Sequence, residues 1–343
     1  MKTKILLAAV AGALVMPVPM ASQADVMSGM DFKISGRISA GITRYDADVA
    51  GQDAVWDLGS TVSENNRTDS RITLTADRET DFGTAGFKLE RDWRMDSLGG
   101  GGDTRHQYVY LGGDWGTLYL GNHGTPVGMG NGYDQSYFYG GGGRINGTDR
   151  LDGIGYTYSS GALSFGLTLA GDDGDPSAAV TTDERKIADN TVNDTVVGVS
   201  YDFGVAKVGA AYWKNGDDLG RDSTSLMVSG GVGQLSYWVM YEAASDATNA
   251  AMKDDVDGLG VHLGYALSDV DSVWLQYGSK DYNLTSTADT TNTVIGYSHS
   301  FGGGATAVIE YHTDDVDSHV DMAGDTVQNP DPNTLHISVR VFF

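Results

Sequence analysis

Asn333-Thr-Leu-His-Ile-Ser-Val-Arg-Val-Phe-Phe343 closes the chain, and its alternation decides the fold. Leu335, Ile337, Val339, Val341 and Phe343 take one parity; Thr334, His336, Ser338 and Arg340 take the other. A period of two belongs to a β-strand whose faces meet different surroundings. The apolar parity runs unbroken for about ten residues, roughly what a tilted strand needs to cross hydrocarbon. Arg340 on the opposite parity would be costly in lipid but at ease in a wet interior. The stretch reads as the last strand of a closed transmembrane barrel.

The same grammar runs back through the chain. Phe32, Ile34, Ile38, Ala40 and Ile42 alternate with Lys33, Ser35, Arg37, Ser39 and Thr43 over 32–45. Further strands are expected over 71–79, 85–93, 105–111, 117–121, 154–159, 163–170, 195–201, 205–213, 223–229, 235–242, 259–266, 273–279, 293–301, 305–312 and 334–343. That makes sixteen, joined by short turns such as Asp202-Phe203-Gly204 and long connections such as Gly171–Asn193 in turn. An even count with short turns at one end and long loops at the other marks a bacterial outer-membrane barrel. The fold class is all-β, a transmembrane antiparallel β-barrel. Tyrosines near strand ends, among them Tyr201, Tyr212, Tyr241, Tyr265 and Tyr297, suit an aromatic girdle. A barrel of this size leaves an aqueous channel. The inward residues, such as Ser35, Ser39, Thr73, Gly166, Gly209 and Ser298, are too small and polar for a dry plug.

Bulk composition agrees. Mean hydropathy is −0.24, and no run of about 18 apolar residues lies outside the N-terminus, so helical spans are excluded. Glycine at 48 and tyrosine at 18 suit many strands with tight turns and aromatic rims. With no cysteine there is neither a disulfide frame nor a thiolate metal site. Lys2 and Lys4, the apolar run Ile5–Val15 and small residues at Ser22 and Ala24 read as a signal peptide over 1–24. Without those two lysines, 20 basic residues stand against 46 acidic ones, a net −26. Nucleic acid is an unsuitable partner for that charge, and cations are its natural company.

Gly112-Gly-Asp-Trp-Gly-Thr-Leu-Tyr-Leu-Gly121 with Thr125-Pro126, Ile295-Gly-Tyr-Ser-His-Ser-Phe301 and Val339-Arg-Val-Phe-Phe343 resemble segments of Gram-negative general diffusion porins. The resemblance spans essentially all of residues 25–343. It implies a homotrimer, a third loop folded into the lumen as a constriction, and a terminal Phe343 read by the barrel assembly machinery. That loop would be residues 122–152. Its acids would be Asp134, Asp149 and Asp152, with Tyr133, Tyr137, Arg144 and Arg150 alongside. The facing wall would carry Arg37, Arg71, Lys88, Glu90 and Arg340. Ions and small hydrophilic solutes would be sieved there, and outer-membrane lipid and lipopolysaccharide would surround the barrel. Asn122, Ser298 and Ser300 stand where relatives often have a basic residue, which thins the ladder. With the acidic total, that points to a weak cation preference.

Other constellations carry less. The clusters Asp172-Asp173-Asp175, Asp254-Asp255-Asp257 and Asp314-Asp315-Asp317 lack the spacing of a calcium loop and read as self-repelling outer loops. The seven histidines show no paired ligand spacing, and no Gly-x-Ser-x-Gly elbow occurs. Neither an enzyme nor a cofactor is expected. A substrate-specific channel would line its lumen with aromatic rings, and Trp238 and Trp274 fall on lumen parity. A secreted β-sandwich would also tolerate acidic loops, but it would dissolve without detergent.

Overall fold

A computed structural model describes residues 30–47, 55–59, 70–92, 104–130, 150–171, 192–214, 221–246, 255–283, 289–316, 319–320, 326–327 and 332–343. The expected signal peptide lies outside them.

Sixteen long strands follow in order. The first half is β1 (Asp31–Ala47), β2 (Arg71–Thr80), β3 (Gly83–Asp92), β4 (Thr104–Gly113), β5 (Gly116–Gly124), β6 (Arg150–Ser160), β7 (Leu163–Gly171) and β8 (Val192–Asp202). The second half is β9 (Ala206–Lys214), β10 (Arg221–Val232), β11 (Leu235–Asp246), β12 (Val256–Ala266), β13 (Asp271–Tyr282), β14 (Thr290–Gly302), β15 (Ala305–Val316) and β16 (Pro332–Phe342). Each pairs antiparallel with its sequence neighbour, and β16 pairs with β1, so the sheet closes. The short strand Val55–Gly59 pairs with the upper half of β1 while β2 pairs with the lower half. All sixteen expected strands are present. Closure removes the unpaired edge that lipid could not satisfy.

The pleat puts opposite chemistry on opposite faces. On β16, Thr334, His336, Ser338 and Arg340 are buried, while Ile337, Val339 and Val341 are exposed. The exposed outer face also carries Ile34, Leu226, Val239, Ile295 and Ile309, a surface only a membrane would cover. Among the described residues no helix is long and apolar enough to span a bilayer. On the outer face near the turns, Phe32 and Phe87 meet edge-on at 6.5 Å. Ala76 pairs with both across the sheet and is fully covered.

Tyrosines hold both rims. At the long-loop end Tyr241 donates to Asp257 at 2.7 Å and Tyr212 to Asp222 at 3.3 Å. At the short-turn end Tyr297 donates to Asp271 and Tyr265 to Gln234, both at 2.6 Å. Each ring lies on the lipid parity while its hydroxyl reaches a polar group, as an interfacial anchor should.

The closing seam depends on one small residue. The Gly36 N–H donates to the Phe343 carbonyl at 2.9 Å, and the Phe343 N–H returns a bond to Gly36 at 3.1 Å. A Cβ at Gly36 would sit 2.7 Å from the Phe343 ring and 2.4 Å from the Arg71 carbonyl. Inside the seam, Thr43 Oγ1 and His336 Nδ1 share a hydrogen bond of 2.9 Å.

Candidate pore lining

After β5 the chain turns inward. Pro126–Met129 form a single 3-10 turn with proline at its start, where a missing N–H costs nothing. Val127 is 1% exposed and packs against Val196, Ala211 and Trp213 on the inner face of β8 and β9, with Leu151 beside them. The wall is cut away to receive it. A Cβ at Gly198 would lie 2.4 Å from the Pro126 carbonyl, and one at Gly209 only 1.6 Å from the Met129 carbonyl. Gly209 therefore does not leave the lumen open, as its size suggested; it seats this turn.

A charged cluster lies on the inner face of β2–β4. Glu90 is buried and accepts from Arg71 at 3.2 Å, Lys88 at 3.0 Å, Arg105 at 3.2 Å and Thr73 at 3.0 Å. Arg105 also reaches Asp92 at 3.3 Å. Three cations converge because their strands deliver them at one height. Arg71 pairs with Asp92 and Thr73 with Glu90, while a bulge opposite Glu90 and Arg91 turns Arg105 inward. Extra residues at bulges re-aim side chains in this way. The alternation of β4 gives no hint of the bulge, so sequence reading missed Arg105.

Next to this cluster is an inward aromatic group. Tyr108 and Tyr119 meet edge-on at 5.5 Å, and His123 lies 5.5 Å from Tyr119. Tyr110 donates to Asp77. Tyrosine suits a lipid girdle as well as a wet wall, so its residue type alone did not assign these rings.

Of the pore-wall residues expected from sequence, Arg71, Lys88 and Glu90 form the cluster. Arg37 pairs in register with Phe342 and with Arg71, and Arg340 with Ser39 and Thr306, all on lumen parity. Arg150 and Asp152 belong to β6 instead of a loop, opposite Gly124 and Asn122. Their neighbour Leu151 faces inward against the Val127 cluster, so both stand on the outward parity. Tyr133, Asp134, Tyr137, Arg144 and Asp149 lie outside the described residues. Phe343 sits at the closing seam. Among the described residues no group of three or more His, Asp or Glu side chains is placed to hold a metal.

A sequence model of the Gram-negative porin family matches residues 7–319, nearly the whole chain. The chain is a Gram-negative porin. This porin resides in the outer membrane, and its family and fold are those of a channel for passive diffusion, not of an enzyme. Solved structures show the same architecture at low identity. The anion-selective porin of Comamonas acidovorans superposes with a TM-score of 0.70 at 17% identity, covering 92% of this chain and 100% of that one. The trimer form of OmpT from Vibrio cholerae gives 0.68 at 18%, covering 92% and 100%. The outer-membrane channel DcaP of Acinetobacter baumannii gives 0.67 at 14%, covering 94% and 99%. No curated protein matches the chain by sequence.

Proposed function

We propose that this porin is a homotrimeric general diffusion channel for ions and small hydrophilic solutes, exported behind a signal peptide spanning residues 1–24. The observation that carries the reading is the inner face: a closed sixteen-strand barrel lined with polar and charged side chains. Barrels of this size leave an aqueous channel. We place the constriction between two walls. One is the face of β7–β9, where the turn Pro126–Met129 docks and from which the loop through residue 149 would continue. The other carries Arg37, Arg71, Lys88, Arg105 and Arg340 on β1–β4 and β16. Asp134 and Asp149 on the loop would face these bases, and a pore with fixed charges of both signs selects by charge and orients dipolar solutes. Weak cation preference is the finer part of the proposal and rests on the acidic total. The porin of Comamonas acidovorans, similar in fold, is anion-selective, and the bases on this wall oppose the acidic total. We place lipopolysaccharide against the outer rim and the barrel assembly machinery at the Phe343 seam.

Planar-bilayer recording of detergent-extracted, folded protein tests the reading. Conductance steps in triplets support a trimeric channel. Single steps would retain the channel and reject the trimer. Folded protein that never conducts would overturn the channel reading.

A further inference from the structure

The tyrosine rings beside the bases on β3–β5 have no role in charge selection. β4 runs from the long-loop end toward a short turn, so Arg105, Tyr108 and Tyr110 descend the inner wall in that order. Lys88 on β3 stands directly across from Tyr108 in register. Tyr110 lies between Gly86 and Tyr119 on its two neighbouring strands. Its ring is laid over Gly86, where a Cβ would come within 2.7 Å of it. Tyr110 is 6.1 Å from Tyr108 and 6.3 Å from Tyr119, centre to centre, so the three rings form one continuous surface.

This surface can be reached from the lumen. All three tyrosines are half-buried, and the side chains of Arg71, Lys88 and Arg105 keep 19–25% of their area exposed. The acids among them are engaged. Glu90 lies beneath the bases, Asp92 is held by Arg105, and Asp77 accepts from the Tyr110 hydroxyl. Three bases against Glu90 and Asp92 leave the upper edge of the rings positive. Aromatic faces and edges attract another planar ring, and an ammonium or guanidinium beside them takes an anionic group. Neighbouring strands lie about 5 Å apart, so a ring resting on Tyr108 leaves its own carboxylate within reach of Lys88.

We propose that this patch is a transit subsite for aromatic carboxylates, the ring resting against Tyr108 and Tyr119 and the carboxylate against Lys88, with Arg105 above. The proposal rests on the channel reading and adds a solute preference to it. Bases alone would serve any anion; apolar rings with a few placed charges single out planar aromatic ones.

The test adds benzoate, acetate or benzyl alcohol at equal concentration and neutral pH to the whole folded protein conducting potassium chloride in planar bilayers. Benzoate is expected to lower the chloride current saturably, whereas acetate, with the charge alone, and benzyl alcohol, with the ring but no charge, should not. Tyr108→Leu should raise the half-blocking concentration of benzoate about three- to tenfold, and Tyr108→Phe, which keeps the ring, should raise it less. Lys88→Met should raise it as well, and Lys88→Arg should restore the block. Val109→Leu, on the lipid face of the same strand, should leave the benzoate response unchanged. Heat-modifiable migration first shows that each variant folds; if Tyr108→Leu does not, the two Lys88 variants decide. A comparator that matches benzoate in a conducting protein would overturn the subsite and leave the channel standing. If no current flows, saturation-transfer NMR on the detergent-folded protein decides: transfer to benzoate that Tyr108→Leu reduces supports the subsite, and its absence overturns it.

Discussion

Glu90 holds three cations within 3.2 Å while being far less exposed than they are, 7% against 19–25%. Such a group is bound more by what it neutralises than by any single bond. Replacing it with glutamine removes the charge shared by Arg71, Lys88 and Arg105 and leaves Asp92 beside Arg71 and Arg105 to offset part of their repulsion. Glu90→Gln should cost about 1–2 kcal/mol, held low because the cations remain partly solvated. It should also move the reversal potential in a salt gradient toward anions; an unmoved potential would show that these cations do not face the ion path. Gly209 makes a steric case. A methyl group there would fall 1.6 Å from the Met129 carbonyl, so the Pro126–Met129 turn must shift. Gly209→Ala should lower thermal stability by about 1–3 kcal/mol and alter unitary conductance. Gly171→Ala, where a Cβ would meet nothing within 4 Å, should change neither. The inward parity of Gly209 was legible in the sequence, but its reason was not. The turn it receives lies some eighty positions earlier, and no local pattern joins the two.

At the scale of the strand, one register position separates lipid from lumen. Leu226 is 54% exposed at the middle of β10, whereas Ser229 lies on the inward parity three residues on. Leu226→Arg should destabilise the barrel by about 2–4 kcal/mol, the cost of a cation at mid-bilayer. Ser229→Arg should insert normally and change conductance. Heat-modifiable migration in detergent reads the first effect and bilayer recording the second. The seam offers a sharper strand-level case. Gly36→Ala would push on the Arg71 carbonyl and the Phe343 ring together, so β1 and β16 should close poorly and the folded band should weaken on mild heating. All sixteen strands were legible because hydrocarbon on one face and water on the other impose a period of two. Their ends were less so. Above the hydrocarbon both faces are wet, the alternation fades and pairing continues, which is why Arg150 and Asp152 read as loop yet pair with Gly124 and Asn122.

For the whole molecule, net charge and lumen charge are separate quantities, and salt can tell them apart. Beyond residue 24 the chain carries −26, much of it in aspartates of the long connections. The wall of β2–β4 instead brings Arg71, Lys88 and Arg105 together. Fixed charge acts on a passing ion only within about one screening length, roughly 30 Å at 0.01 M and 3 Å at 1 M. If the aspartates of the long connections stand at the mouth, dilute salt brings them within reach of an entering ion and enriches cations there. In concentrated salt only charges lining the narrowest section remain in play. Cation preference should then be strongest in dilute salt and shrink as salt rises, crossing to anion preference if the bases face the constriction. The measurement is the reversal potential at a fixed tenfold gradient, repeated from about 0.01 to 1 M. A preference that does not change with salt would place the selecting charges inside the constriction and leave the acidic exterior without a part in selectivity.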